Sequence, residues 1–393
     1  MIRINARMLA LLCCCVGLTG AAAQEKAGTY TVVYNFGGTS ADGRNPWAGV
    51  FPAYGNGALY GTTENGGADR VGTVFWFGAN WEQVLYSFRR SGGDGMQPVS
   101  IPASVGDMMY GTTNFGGSGN GTVFSLDQRT GAEKILYSFK GGNPSGSVIS
   151  VDGILYGTTG TGGTAKCSCG TIYSLNPATG AEAVVHNFQG FPTDGANPVA
   201  SLINGDPGKI YGTTLAGGAL ENGTIFSFDI ATGTETVLYS FQNAPDGVNP
   251  QASLLADGGL LYGTTSDGGA YGQGTVFSFD VIRGTEKILY SFRGGSDGAH
   301  PSAELINALG TLYGTTATGG STANGGGQGT LFSLDPTTGT EKVLHSFPSG
   351  PTDGTVPKAG LWYIFGRLYG TTYSGGTFGA ASGGYGTVFT YTP

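Results

Sequence analysis

The chain has 393 residues, of which 75 are Gly and 17 Pro, with 11% charged and a formal net charge of −8. No Gly-X-Y period runs through it, which excludes collagen, and 20 Tyr, 21 Phe and 39% hydrophobic residues supply the apolar surface that a disordered chain lacks. An acidic balance without Lys/Arg clusters argues against nucleic acid or an anionic membrane as partner.

Residues 1–23 carry Arg3 and Arg7, an apolar run from Met8 to Leu18, and Ala21-Ala22-Ala23 before Gln24. This is the layout of a secretory signal peptide, with cleavage expected between Ala23 and Gln24 and a run too short to anchor in a bilayer. A lipoprotein signal is the rival, because Cys13, Cys14 and Cys15 stand in the run. Leu12 precedes Cys13 where a lipobox carries Gly or Ala, and cleavage there would leave almost no apolar segment. Without Arg3 and Arg7 the net charge becomes −10. Nothing beyond Gln24 has the length and hydrophobicity of a membrane helix, so the expected product is exported, either secreted or periplasmic.

Beyond the leader the chain repeats. Tyr-Gly-Thr-Thr occurs seven times, at Tyr60, Tyr110, Tyr156, Tyr211, Tyr262, Tyr313 and Tyr369. Gly-Thr-(Val/Ile/Leu)-(Phe/Tyr) follows in each unit, and a segment of the form Leu-Tyr-Ser-Phe ends at Phe36, Phe88, Phe139, Phe188, Phe241, Phe292 and Phe347. Each unit of about 50 residues reads as four short strands, illustrated by residues 250–255, 261–265, 274–280 and 286–292. Between the third and fourth strands, Asp229-Ile-Ala-Thr232-Gly233 and its counterparts read as hairpins opened by Asp and closed by a left-handed Gly. The strands are rich in apolar and aromatic residues on both faces, which suits sheets packed face to face.

The termini select the architecture. A lone fourth strand, 30–36, opens the array, and a third strand without a fourth, 386–391, ends it. The surplus strand completes the deficient sheet, so the prediction is an all-β, seven-bladed β-propeller of four-stranded antiparallel blades, one domain over residues 24–393. A solenoid would leave both ends as exposed edges. The small residues Ala48, Ala200, Ala252, Ala303 and Ala359 place the Pro-x-Ala-x-Leu segment at the channel and Leu-Tyr-Ser-Phe at the rim.

Gly310-Thr-Leu-Tyr-Gly-Thr-Thr316, Gly329-Thr-Leu-Phe332 and Ser346-Phe347 resemble the bacterial GloVer tandem repeat of "choice-of-anchor" surface proteins, a kelch-like array. The resemblance covers nearly all of the chain after the leader. It implies an exported repeat protein, often tethered at its C-terminus, with no established activity and no catalytic residues to carry over. This sequence departs from the pattern by ending on a strand without a sorting signal or apolar helix, which puts tethering in doubt.

Chemistry must be sought on the loop face. Asp42, Asp94, Asp194, Asp246, Asp297 and Asp353 recur in Asp-Gly-x-x-Pro turns, and the unit around Asn143-Pro144 breaks the series. One Asp followed by Gly lacks the successive oxygens of a calcium loop, so turn capping is the expected role. His186 and His345 replace the Tyr of Leu-Tyr-Ser-Phe and read as packing substitutions. Cys167 and Cys169, one residue apart, are too close for an unstrained disulfide and lack a second pair for a metal, so they read as small loop residues. No metalloprotease, phosphate-loop or nucleophile-elbow motif occurs, and no catalytic residue, cofactor or metal ligand is assigned.

Residues that break the repeat are the better candidates: Arg44, Asp69, Arg70, Lys166, Glu221 and His300 on the loop face, and Glu304 on an inner strand. Trp47 and Trp362 belong to the units flanking the closure, where they could stack a sugar ring or fill the seam. The ligand-binding set is therefore Arg44, Arg70, His300, Glu304, Trp47 and Trp362. The expected protein is a monomeric exported scaffold for a polysaccharide or a surface protein. A carbohydrate-active lyase or hydrolase is the alternative, and a purely structural wall or matrix protein is a third reading.

Overall fold

In the fifth unit, β-branched and aromatic residues gather into four strands, Leu255–Asp257, Leu260–Thr265, Thr275–Asp280 and Thr285–Ser291. They pair antiparallel in that order. The computed structural model describes residues 28–52, 59–78, 81–100, 102–321, 327–348, 352–379, 381 and 383–393. The expected leader, residues 1–23, and its cleavage point between Ala23 and Gln24 lie outside the described residues. The same four-stranded meander recurs in all seven units, with Gly95–Pro98 added to the sheet of unit 2. The fold is a seven-bladed β-propeller. Its last blade is closed by Thr29–Asn35 pairing with Thr387–Thr392, Tyr30 opposite Tyr391. Among the described residues a 3-10 turn lies at Gly295–Asp297, and no helix is long and apolar enough to cross a membrane.

Each letter of Tyr-Gly-Thr-Thr has its own task. Tyr262 joins Val276 and Phe292 of blade 5 to Leu312, Phe332 and Leu334 of blade 6 in one buried cluster. Gly263 lies opposite Phe277, and a Cβ there would come within 2.5 Å of the phenyl ring. The first Thr reaches across to the next blade: in all seven units its hydroxyl donates to a carbonyl of the neighbouring inner segment at 2.9–3.5 Å, from Thr62 to Ser100 round to Thr371 and Ala48. The second Thr bonds the Thr opening the third strand at 2.7–2.8 Å, again in all seven. Gly274, before that strand, has φ +94°, and a Cβ would meet Pro301 Cδ at 2.6 Å.

Blades meet through aromatics. The last Phe of each outer strand packs edge-on against the third-strand aromatic of the next blade at 5.1–5.4 Å, including Phe292 on Phe332 and, at the closure, Phe36 on Phe75. Such contacts add stabilisation of about 0.5–1.5 kcal/mol each beyond area burial.

Two sequence expectations need correction. The first strand is not residues 250–255 but Leu255–Asp257. Pro250 to Leu254 runs along the channel held by Thr hydroxyls from the preceding blade and not by a ladder. Cys167 and Cys169 are not separate loop residues: they form a disulfide, with Cα atoms 5.1 Å apart. Ser168 between them takes φ +52°, which turns both side chains to one side, a conformation the spacing alone does not reveal.

Candidate functional site

Because every unit sends Pro-x-(Ala/Ser/Gly) to the axis, residue x of each blade comes to the same level of the channel. The ring so formed is Trp47, Val99, Ser145, Val199, Gln251, Ser302 and Lys358. With Glu64 and Asn114, which follow Tyr-Gly-Thr-Thr in blades 1 and 2, it lines a mouth of about 340 Å³. Deeper in the channel the walls narrow to Ala and Gly, with Ser147, Ser201, Ser253 and Glu304.

The mouth is asymmetric. Lys358 Nζ sits 4.1 Å above the Trp47 ring and 4.8 Å from that of Tyr373. Tyr373 packs edge-on to Trp47 at 5.6 Å and donates its hydroxyl to Glu64 Oε2 at 2.7 Å. Burial holds the Lys358 ammonium below the usual lysine range, against the pull of the Glu64 carboxylate. Trp47 stays 38% exposed, so a ring face remains for a ligand. Below, burial alone pushes the Glu304 carboxyl up to about 7. Water still reaches part of Glu304 from the channel.

The structure brings two of the sequence candidates, Trp47 and Glu304, to the channel. Trp362 does not join Trp47. It lies in the inner strand Trp362–Ile364 opposite Tyr369, in the slot that Leu255 and Ile306 fill in other blades. Arg44 lies over the Tyr385 ring at 4.2 Å, and Arg70 is exposed on its loop with φ +61°. His300 occupies the left-handed position before Pro that holds Asn45, Asn197 and Asn249 elsewhere. Its Nδ1–H donates to the Ser266 carbonyl at 2.8 Å, as Asn197 does to Gly160 at 2.9 Å. Lys358, Glu64 and Tyr373 escaped sequence reasoning. The signal was available, since Trp47 and Lys358 stand at one repeat position where the other blades carry Val, Ser or Gln.

A second polar array lies at the seams. The recurrent Asp caps its turn, as when Asp246 accepts the Gln242 N–H at 2.6 Å and the Gly247 N–H at 2.6 Å. It also accepts the outer-strand Tyr hydroxyl: Tyr34 to Asp42 at 3.0 Å, Tyr86 to Asp94 at 2.8 Å, Tyr239 to Asp246 at 2.7 Å and Tyr290 to Asp297 at 2.8 Å. His345 makes the equivalent contact to Asp353 at 3.0 Å, so it does more than fill space. Beside the Asp of five of these seams the next blade buries a Glu, and beside Asp353 Tyr30 takes that place. Burial first, and the Asp charge second, push Glu82, Glu286 and Glu341 up to about 8 and Glu133 and Glu235 to about 7. Among the described residues one group of three has metal-ligand chemistry, His186, Asp194 and Glu235.

A family model described as the Gloeobacter/Verrucomicrobia repeat matches residues 22–206 and 143–389. The chain belongs to this repeat family. No curated protein matches it. Among solved structures, this member of the repeat family is similar to the extracellular domain of a proposed one-component system from B. thetaiotaomicron (TM-score 0.62, 9% identity, 92% of this chain and 40% of that one). It is also similar to an oligogalacturonate lyase from Vibrio parahaemolyticus (TM-score 0.56, 10% identity, 93% of this chain and 97% of that one). An oligogalacturonate lyase in complex with manganese gives TM-score 0.55, 12% identity and coverage of 93% and 96%. At these identities the likeness is one of fold.

Proposed function

We propose that this protein is an exported, monomeric scaffold that binds a neutral saccharide chain at the channel mouth. The observation that carries the reading is the meeting of Trp47 and Lys358, from the blades either side of the closure, in a ring otherwise made of Val, Ser and Gln. A half-exposed indole offers a face for a sugar ring, and Gln251, Ser145, Ser302 and Asn114 offer hydrogen-bonding groups around it. The Lys358 charge is countered by Glu64, which favours an uncharged ligand over a uronate. Export rests on the leader-like residues 1–23. The test is a glycan array on the chain from Gln24 onward. Binding is expected, with Trp47→Ala weakening it at least about tenfold and Trp362→Ala leaving it unchanged. Binding that ignores Trp47→Ala would overturn the assignment.

Glu304 supports the alternative of a carbohydrate-active enzyme. A carboxyl held near neutrality inside a channel has the protonation state of a general acid. Glycoside hydrolysis by the usual route needs a second carboxylate across the bond. Among the described residues lining the mouth and channel, Glu64 is the other one, and it is engaged by Tyr373. Product analysis of any array hit decides: cleavage lost in Glu304→Gln selects the enzyme, and intact glycan selects the scaffold.

A further inference from the structure

Six blade seams carry the recurrent Asp, and the repeat supplies an internal control for each. Four hold Tyr, Asp and Glu, where the phenol O–H gives the Asp a donor at 2.7–3.0 Å. The seam closing blade 6 onto blade 7 holds His345 and Asp353, but Tyr30 takes the Glu slot. Its hydroxyl donates to Asp353 at 2.6 Å and its ring stacks on His345 at 3.7 Å, so the polar atoms are matched. The seam between blades 3 and 4 alone combines His186, Asp194 and Glu235.

That combination is left unmatched. His186 Nε2 lies 3.4 Å from Asp194 Oδ2, longer than a good charge-assisted hydrogen bond. Nε2 of His186 is buried without a hydrogen-bond partner, which no sibling seam shows, whereas the unpartnered Oε1 of Glu235 is shared with Glu82, Glu133, Glu286 and Glu341 of the Tyr seams. Each of the three residues offers a ligand atom, all within 4.8 Å of one another. The His–Asp separation is also close to the edge, about 3.4 Å, of a tetrahedron with bonds of about 2.1 Å. Asp194 is aimed by the N–H groups of Gln189 at 2.7 Å and Gly195 at 2.6 Å, and His186 is held edge-on to Phe188 at 4.8 Å. Such support orients ligands before an ion arrives.

We infer that His186, Asp194 and Glu235 form a binding site for one divalent transition-metal ion of the zinc class, joining blade 3 to blade 4. One imidazole and two carboxylates suit zinc-class ions and lack the all-oxygen set that calcium prefers. Binding adds a link between two blades already joined by aromatic contacts and hydrogen bonds, and so stabilises the ring in proportion to occupancy.

The test is calorimetric titration of the chelator-treated chain with ZnCl2, with CoCl2 as a spectroscopic probe of tetrahedral geometry. One equivalent should bind and raise the melting temperature. His186→Tyr, which installs the residue of the sibling seams and so preserves the fold, should weaken binding at least about tenfold, and Glu235→Gln likewise. His345→Tyr should leave binding unchanged. No saturable uptake by the unmodified chain, equal binding by His186→Tyr, or loss in His345→Tyr would each overturn the assignment.

Discussion

The seams between blades and the ring at the channel mouth are built from the same seven repeats, yet they use repetition in opposite ways. At the seams each unit supplies a Phe that packs on a Phe or Tyr of the next, and these ring positions keep their type in all seven. At the mouth one repeat position holds Trp, Val, Ser, Val, Gln, Ser and Lys. A seam residue must fit its successor as well as its own blade, so packing restricts it. A mouth residue faces the channel and meets no such restriction. Uniformity marks what holds the ring together, and divergence marks where binding can be specialised.

The largest effect that could break this contrast is at a seam. Phe277 is fully buried and packs on Phe241 of the preceding blade. Phe277→Ala should cost about 3–5 kcal/mol, read by denaturant unfolding, and an unchanged midpoint would remove the packing role. Gly263→Ala forces a Cβ against that same ring and should cost about 1–3 kcal/mol. A smaller effect per residue comes from the seam carboxyls. Glu82, Glu286 and Glu341 keep their protons to about pH 8 in the fold and Glu133 and Glu235 to about 7, against an ordinary value of 4.5. Above 4.5 the unfolded chain releases protons that the folded chain retains, so stability falls as pH rises toward 8. The melting temperature should be higher at pH 5 than at pH 9, and Glu286→Gln should flatten part of the slope; a rise across that interval contradicts burial of these groups. The smallest effect belongs to the mouth, where Trp47→Ala should cost about 0.5–1 kcal/mol of stability through its contact with Lys358.

The fold was legible because a motif occurring in every unit samples the same environment seven times, and because 30–36 and 386–391 were complementary remnants of one blade. Turn capping by Asp was legible from Asp-Gly alone. The inner strand was misplaced because its first residues are held by Thr62 and its equivalents, side-chain bonds with no sequence period of their own. The disulfide was missed because it depends on the left-handed conformation of Ser168. His300 stood out as a lone His, but its role emerges once it is aligned with Asn45 and Asn249. The buried Glu residues were hidden because each meets its Tyr and Asp across a seam: Glu286 lies 47 positions from Tyr239, and no local pattern joins them.

Closure of blade 7 by the first strand also governs how the ring is assembled. Thr29–Asn35 is made before every other strand of the ring, and its partner Thr387–Thr392 after all of them. Six blades can form in order while this strand waits with its hydrogen-bonding edge open, exposed to pairing with another chain. The final step joins residues more than 350 positions apart and carries the largest loop-closure entropy in the molecule. A chain that loses Thr387–Thr392 would therefore strand Thr29–Asn35 as well, leaving two strands of blade 7 and an open ring with two sticky ends.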